Sequence, residues 1–407
     1  MKPLFVEAPA SIFFAPFVQA LVLFFLFLAL LYNVTELIIW ALCLLALGGS
    51  AWLWSRISLK RLECRLDLNR TRLFPGMDLC MHIQAVNAKW LPILFCFDLL
   101  IPGDIAGADT SQWVSEIRGL LWHQRLTLRS VFFPRRRGVF DLGPPQIRTA
   151  DLFGFFPRFR RLRKRFEVVV YPRIIPVRPL SVPKRTFFGI PGARSPVEDP
   201  VFIFGTRDYQ TGRPARSIHW KASARHDRLQ EKICEPAQQE KVLLLLDVEG
   251  FDHPDLESDF EKCLEVIASL VLQLDRRRLA MGFVFNGRTT GACPRIISVS
   301  RNARQITTIL ESLARMTAAA GGGMLDILSR GYTIPGGISS VYFTARWSRR
   351  TRTAAAFLRQ RGTPVQFVLA GGPAAEETRG AAASADAAAV RYLKDLAPPE
   401  ETSHEGH

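Results

Sequence analysis

The feature that most constrains this chain is a pair of long uncharged runs near its start. Residues 8–35 carry no charge over 28 positions, and residues 37–55 carry none over 19 more. A bilayer core needs about 20 helical residues at about 1.5 Å each. Leu, Ile, Phe and Val each favour insertion by about 0.3–0.6 kcal/mol, so both runs suit a membrane. The spacing predicts spans over about 12–32 and 37–55, joined by Asn33, Val34, Thr35 and Glu36. Such a linker closes a helical hairpin but holds no domain. Tyr32, Trp52 and Trp54 stand where interfacial aromatics belong. Basic residues are sparse before the first run, where Lys2 stands, and absent from the turn. After the second run come Arg56, Lys60, Arg61, Arg65, Arg70 and Arg72. The positive-inside rule then puts both ends in the cytoplasm. A cleaved secretory signal is the alternative, and a second apolar run is not expected after one.

The remaining chain is long enough to bury more than one core. Its 407 residues carry a formal net charge of +16. That charge favours anionic partners without choosing among them. Between Arg129 and Arg165 eleven basic residues face only Asp141 and Asp151, a net +9. Seven scattered cysteines, none in CxxC spacing, argue against a zinc site and against a disulfide framework.

Residues 60–171 read as β-rich, because short apolar or alternating runs are separated by Pro75-Gly76, Asn87, Pro102-Gly103, Arg137-Gly138 and Gly143-Pro144-Pro145. A small, immunoglobulin-like β-sandwich is expected. Residues 172–240 read as a connector, with a helix opening near Pro214. From 241 to 372 apolar strand runs alternate with helical periodicity, which predicts an α/β doubly wound parallel sheet. Residues 373–407 read as a flexible tail.

The connector holds the most distinctive stretch, residues 207–225. Arg207, Tyr209, Gly212, Arg216, Ile218, His219, Trp220, Ser223, Ala224 and Arg225 resemble the signature of the domain-of-unknown-function 58 family. Arg137-Gly-Val-Phe-Asp-Leu-Gly143, Asp151-Leu-Phe-Gly154 and Val169-Val-Tyr-Pro172 resemble further landmarks of it. Arg213 departs from the pattern, which usually has Asp there. The resemblance implies a membrane-anchored multi-domain protein: a two-helix transmembrane hairpin, a β-domain and a von Willebrand factor A-like domain. It also implies a bacterial inner-membrane location and association with MoxR-type AAA ATPases. It implies no enzymatic activity.

Three chemistries compete with a scaffold reading. In a von Willebrand A domain the first strand ends in Asp-x-Ser-x-Ser, whose hard oxygens hold Mg²⁺. Here the corresponding residues are Asp247, Glu249 and Phe251, with Asp252 beside them, so the serines are missing. A hydrolase reading would use His219 with Asp208 or Ser223, but no nucleophile elbow accompanies them. Against it stands a packing role for His219 and Trp220, with Arg207, Arg216 and Arg225 pairing carboxylates or binding a partner. The basic segment 129–165 suits anionic lipid headgroups or an acidic partner, a solvated loop, or, as the least favoured reading, nucleic acid. No Walker loop or other nucleotide fingerprint appears, and no cofactor is expected.

Overall fold

A computed structural model describes residues 16–107, 110–150, 156–178, 198–210, 215–236, 241–332, 334, 337–370 and 390–396. By contact the chain divides into two compact units, residues 1–173 with 313–315, and residues 174–312 with 316–407.

The first unit opens with α1 (Pro16–Leu31) and α2 (Thr35–Ser58). Here the expected two-helix transmembrane hairpin is corrected. The described part of helix α1 has 16 residues, about 24 Å at 1.5 Å per residue, less than a bilayer core needs. Among the described residues only α2, with 24, is long and apolar enough to cross. It outruns the uncharged stretch at both ends, taking in Glu36 and Arg56, because helical hydrogen bonding continues through the flanks.

The β part holds β1 (Leu62–Leu68), β2 (Arg72–Leu73), β3 (Leu79–Asn87), β4 (Ile93–Ile101), the short α3 (Gly103–Ala106), β5 (Gln112–Leu120) and β6 (Arg125–Phe132). Then follow β7 (Gly138–Leu142), β8 (Gln146–Ala150), β9 (Arg158–Arg161) and β10 (Phe166–Val170). They form three sheets, ordered β1-β3-β6, β2-β10-β7 and β5-β4-β8-β9. The two-sheet sandwich is therefore also corrected. The Pro/Gly turns cut the later strands to five residues or fewer, and β2 joins β10 in parallel as a separate small sheet. One core, including Met81, Phe95, Phe97, Leu99, Leu120 and Val168, draws on all three sheets. Strand β4 turns Phe95, Phe97 and Leu99 inward and alternates them with the more exposed Leu94, Asp98 and Leu100, while Cys96 on that second face is also buried.

Polar contacts fasten the end of α2 to this β structure. The Ser58 hydroxyl meets that of Thr149 at 2.8 Å, and both residues are buried. Lys89, 7 % exposed, donates to the carbonyl of Ile57 at 3.0 Å and to that of Ser58. Its ammonium thereby caps carbonyls that a helix end leaves unpaired. Burial pushes this ammonium down from 10.5 to about 8. The folded value lies below the unfolded one, so the unfolded chain binds more protons between these two values and stability rises with pH there. The stability of the wild type relative to Lys89→Met should be flat below about pH 7 and increase from about pH 8 to 10.5. Denaturant titrations in detergent at stepped pH check this; a decrease across the window contradicts it.

The second unit opens with β11 (Glu198–Asp208), α4 (Trp220–His226) and β12 (Gln230–Pro236). Its central part has β13 (Lys241–Asp247), α5 (Glu257–Arg276), β14 (Ala280–Phe285), β15 (Gly287–Thr289), β16 (Ile296–Ser300) and α6 (Ala303–Arg315). It continues through β17 (Met316–Ala320), α7 (Met324–Gly331), β18 (Ile338–Thr344), α8 (Arg349–Gln360), β19 (Val365–Leu369), β20 (Val390–Tyr392) and α9 (Leu393–Leu396). Strand β13 is apolar and buried from Val242 to Leu246, as a strand covered on both faces must be. Helix α5 lays Phe260, Leu264, Ile267, Val271 and Leu274 into the core at spacings of three and four.

The doubly wound, von Willebrand A-like expectation is corrected here. The six-stranded sheet, ordered β16-β14-β13-β18-β19-β20, is mixed. Strand β16 returns antiparallel to β14, and β15 pairs with β17 in a separate two-stranded sheet. The physical reason lies in residues 286–295. This stretch is rich in Gly and turn formers, so the chain reverses directly instead of crossing over through a helix. The stretch read as a connector contributes a further β11–β12 hairpin.

Candidate functional site

The arginine and His-Trp segment lies on that hairpin. Tyr209 N–H donates to the carbonyl of Leu229, and His219 N–H to that of Gln230 at 2.7 Å, so Tyr209 and His219 are both tied to the start of β12. His219 stands just before α4, and its Nδ1 accepts from the Ala222 N–H at 3.0 Å. It thus does the work of an N-cap residue. In the neutral ring the remaining proton then sits on Nε2. Ser223 Oγ donates to the His219 carbonyl at 3.1 Å and accepts from the Gln230 N–H at 2.9 Å. Asp208 accepts from Gln230 Nε2 at 2.5 Å and from Arg228 at 3.2 Å. Arg207 pairs at 3.3 Å with Glu231, whose side chain is 1 % exposed.

These bonds decide the chemistry of the segment. Among the described residues no hydrogen bond joins His219 to Asp208, and the Ser223 proton points to a backbone carbonyl. A base, its orienting acid and a nucleophile are therefore not assembled. Trp220 and Arg225, by contrast, face solvent, Trp220 at 67 % exposure. Tyr209 is half-buried. Gly212 and Arg213 lie outside the described residues, as does Asp151-Leu-Phe-Gly154; Arg216 is described only in its backbone, within a short 3₁₀ turn.

The second candidate centre is at the C-terminal end of the six-stranded sheet. Asp247 Oδ1 accepts from Asn286 Nδ2 at 2.6 Å and from the Glu249 N–H at 3.1 Å. Its Oδ2 accepts from the Tyr342 hydroxyl at 2.8 Å. Asn286 in turn accepts from the Val248 N–H at 2.7 Å and donates to the Gly322 carbonyl at 3.2 Å. Asp247, Asn286 and Tyr342 are all buried. Burial, reinforced by the Asp247 charge, raises the Tyr342 hydroxyl well above its usual value, so it stays a donor. Glu249 turns away to Arg350 at 2.6 Å, and Asp252 is exposed. The three acidic residues read as ligands thus do not converge: the Asp247 oxygens are taken by protein donors, Glu249 pairs with Arg350, and Asp252 faces solvent. Asn286 and Tyr342 escaped the sequence reading. The available signal for Asn286 was a polar residue closing an apolar strand, as Asp247 does.

No protein-family model matches the chain, and no curated protein matches it. Solved structures similar to part of it include the alkylpurine DNA glycosylase AlkC of Pseudomonas fluorescens bound to DNA containing an abasic-site analogue. That match has 10 % identity over 27 % of this chain and 30 % of the other, with a TM-score of 0.18. A PapD-like domain of human CEP192 matches at 12 % identity over 27 % and 84 %, with a TM-score of 0.19. The CARDB domain of a Pyrococcus furiosus protein, in complex with di-metal ions, matches at 11 % identity over 27 % and 91 %, also at 0.19. The chain spans under a third of the glycosylase's length. At such scores none of these proteins lends its fold or its activity to this one.

Proposed function

We propose that this chain is a non-enzymatic, membrane-anchored scaffold that presents the segment 207–225 to a cytoplasmic protein partner. The observation that carries this reading is the contrast within α4 and its cap. His219, Ser223 and Asp208 are consumed by internal hydrogen bonds, while Trp220 is left two-thirds exposed with Arg225 nearby in sequence. Trp and Arg are the residues most enriched at binding hot spots, where each large anchor is worth about 2 kcal/mol or more. The resemblance to the domain-of-unknown-function 58 family makes a MoxR-type AAA ATPase the partner class. The basic residues in the last turn of α2 and just after it, Arg56, Lys60 and Arg61, favour a cytoplasmic face of a bacterial inner membrane.

Affinity purification of the full chain from solubilised membranes tests this reading. The wild type should retain an AAA ATPase, and the Trp220→Ala/Arg225→Ala double variant should retain at least tenfold less, in line with about 1.4 kcal/mol per decade. Equal retention by both proteins, or recovery of no ATPase by the wild type, overturns it.

A further inference from the structure

The end of the first unit where α2 meets the β structure carries a surface that scaffolding leaves unexplained. The Trp54 indole N–H donates to the Pro92 carbonyl at 2.8 Å. Asn87 Nδ2 donates to the carbonyls of Leu91, at 2.9 Å, and Leu121, at 2.8 Å. The His123 N–H donates to the carbonyl of Lys89, the residue that caps α2. The loop after β3 and the turn after β5 are thereby tied to each other and to the last turns of α2. On them stand Trp90, Leu121 and Trp122, exposed by 79 %, 52 % and 55 %. Across the helix end, Ser55 Oγ donates to the Phe156 carbonyl at 2.5 Å. Thr149, the Ser58 partner, pairs in register with Arg158 of β9. All four β9 residues, Arg158, Phe159, Arg160 and Arg161, are exposed.

The helix supplies a depth scale. Its uncharged stretch ends at Ser55, one residue past Trp54, and the Arg56 guanidinium lies 4.2 Å over the Trp52 ring. Trp54 therefore marks the interface between hydrocarbon and headgroups. Pro92 is hydrogen-bonded at that depth, and Trp90 is two residues away, within about 7 Å. Exposed indoles at this level, with Arg158 held at the same helix end through Thr149 and the other β9 arginines following it, match the amphipathic and anionic character of a headgroup layer. A soluble protein would have to compete for this face with a bilayer already tethered to it by α2, whose effective concentration is of order millimolar.

We propose that the face formed by Trp90, Leu121 and Trp122, flanked by the β9 arginines, seats in the headgroup layer of the bilayer that α2 crosses and takes anionic lipid as its ligand. This rests on insertion of α2 and is independent of the partner docked at Trp220.

The test uses the full chain reconstituted in vesicles of phosphatidylcholine alone or with one part in about three of phosphatidylglycerol. The Trp90 and Trp122 signals are isolated by subtracting the emission of Trp90→Phe, Trp122→Phe and the double variant from that of wild type; both positions are exposed, so folding is little affected. In the anionic vesicles these signals should be quenched by a lipid bearing a headgroup-level spin label and shielded from aqueous iodide. Lipid quenching should be at least twofold stronger there than in phosphatidylcholine, and Arg158→Glu/Arg161→Glu should abolish that difference. The same subtraction with Trp52→Phe reports insertion of α2 separately. Iodide quenching at Trp90 and Trp122 with lipid quenching at Trp52 overturns the proposal alone, and is the outcome if a protein covers this face instead. Lipid quenching that is equal in the two vesicles overturns the anionic ligand. Iodide quenching at all three positions overturns the anchor as well.

Discussion

Replacing Asp247 with alanine is expected to lower the stability of the second unit by about 3–5 kcal/mol. The carboxylate joins strands β13, β14 and β18 at their C-terminal ends through Asn286 and Tyr342. Its removal leaves the Tyr342 hydroxyl and one Asn286 donor buried, and each unsatisfied group costs about 1–3 kcal/mol. Asp247→Asn keeps the shape but loses the charge-assisted bonds, so it should cost less, about 1–2 kcal/mol. The combination Asp247→Ala/Tyr342→Phe should recover part of the loss, because it removes the orphaned hydroxyl along with its acceptor. Thermal or denaturant unfolding of the four proteins decides this. If the alanine variant is within about 0.5 kcal/mol of wild type, the network does not hold the sheet ends together.

Gly282→Ala should destabilise the same unit by about 3 kcal/mol, at the upper end for overpacking, because backbone atoms stand in the way. A Cβ on Gly282 would fall 2.7 Å from Val299 Cγ2, 2.9 Å from the Ile297 carbonyl and 3.0 Å from the Val299 nitrogen. The register between β14 and β16 shifts at this point, between Met281 and Phe283. Gln305 reinforces the irregular pairing by donating to the carbonyls of Met281 at 2.9 Å and Ser298 at 2.7 Å. A side chain here would push β16 off the sheet edge, so amide hydrogen exchange should speed up most in residues 296–300. A loss spread evenly over the whole sheet, or no loss, would show that the edge strand does not depend on this glycine.

The function depends on such details because the two candidate centres differ only in how their polar groups are used. Asp247 is a hub for internal donors, and His219 is a cap. Trp220, Trp122 and Trp90, the last edge-on to the His123 ring, are large apolar groups left mostly exposed, so their chemistry is directed outward.

The sequence by itself determined what depends on local periodicity and composition. Uncharged length identified α2, the one helix among the described residues long and apolar enough to cross a membrane. The apolar run before Asp247 identified β13, and three-and-four spacing identified α5. The turn formers Pro75-Gly76, Asn87 and Pro102-Gly103 bracket β3 and β4. Only the tertiary structure decided how these pieces associate. Sheet membership depends on which strand finds which edge, a long-range choice that no local pattern encodes. Three small sheets therefore replaced a sandwich, and an antiparallel β16 replaced a helical crossover. The same limit applies to the sites. His219 with Asp208 or Ser223 suggested a catalytic pair because these residue types serve in nucleophilic triads. Their roles were decided by Ala222, Gln230 and Arg228, whose donors occupy them first. A residue type announces which bonds it is able to make, and only the packed chain settles which of them it does make.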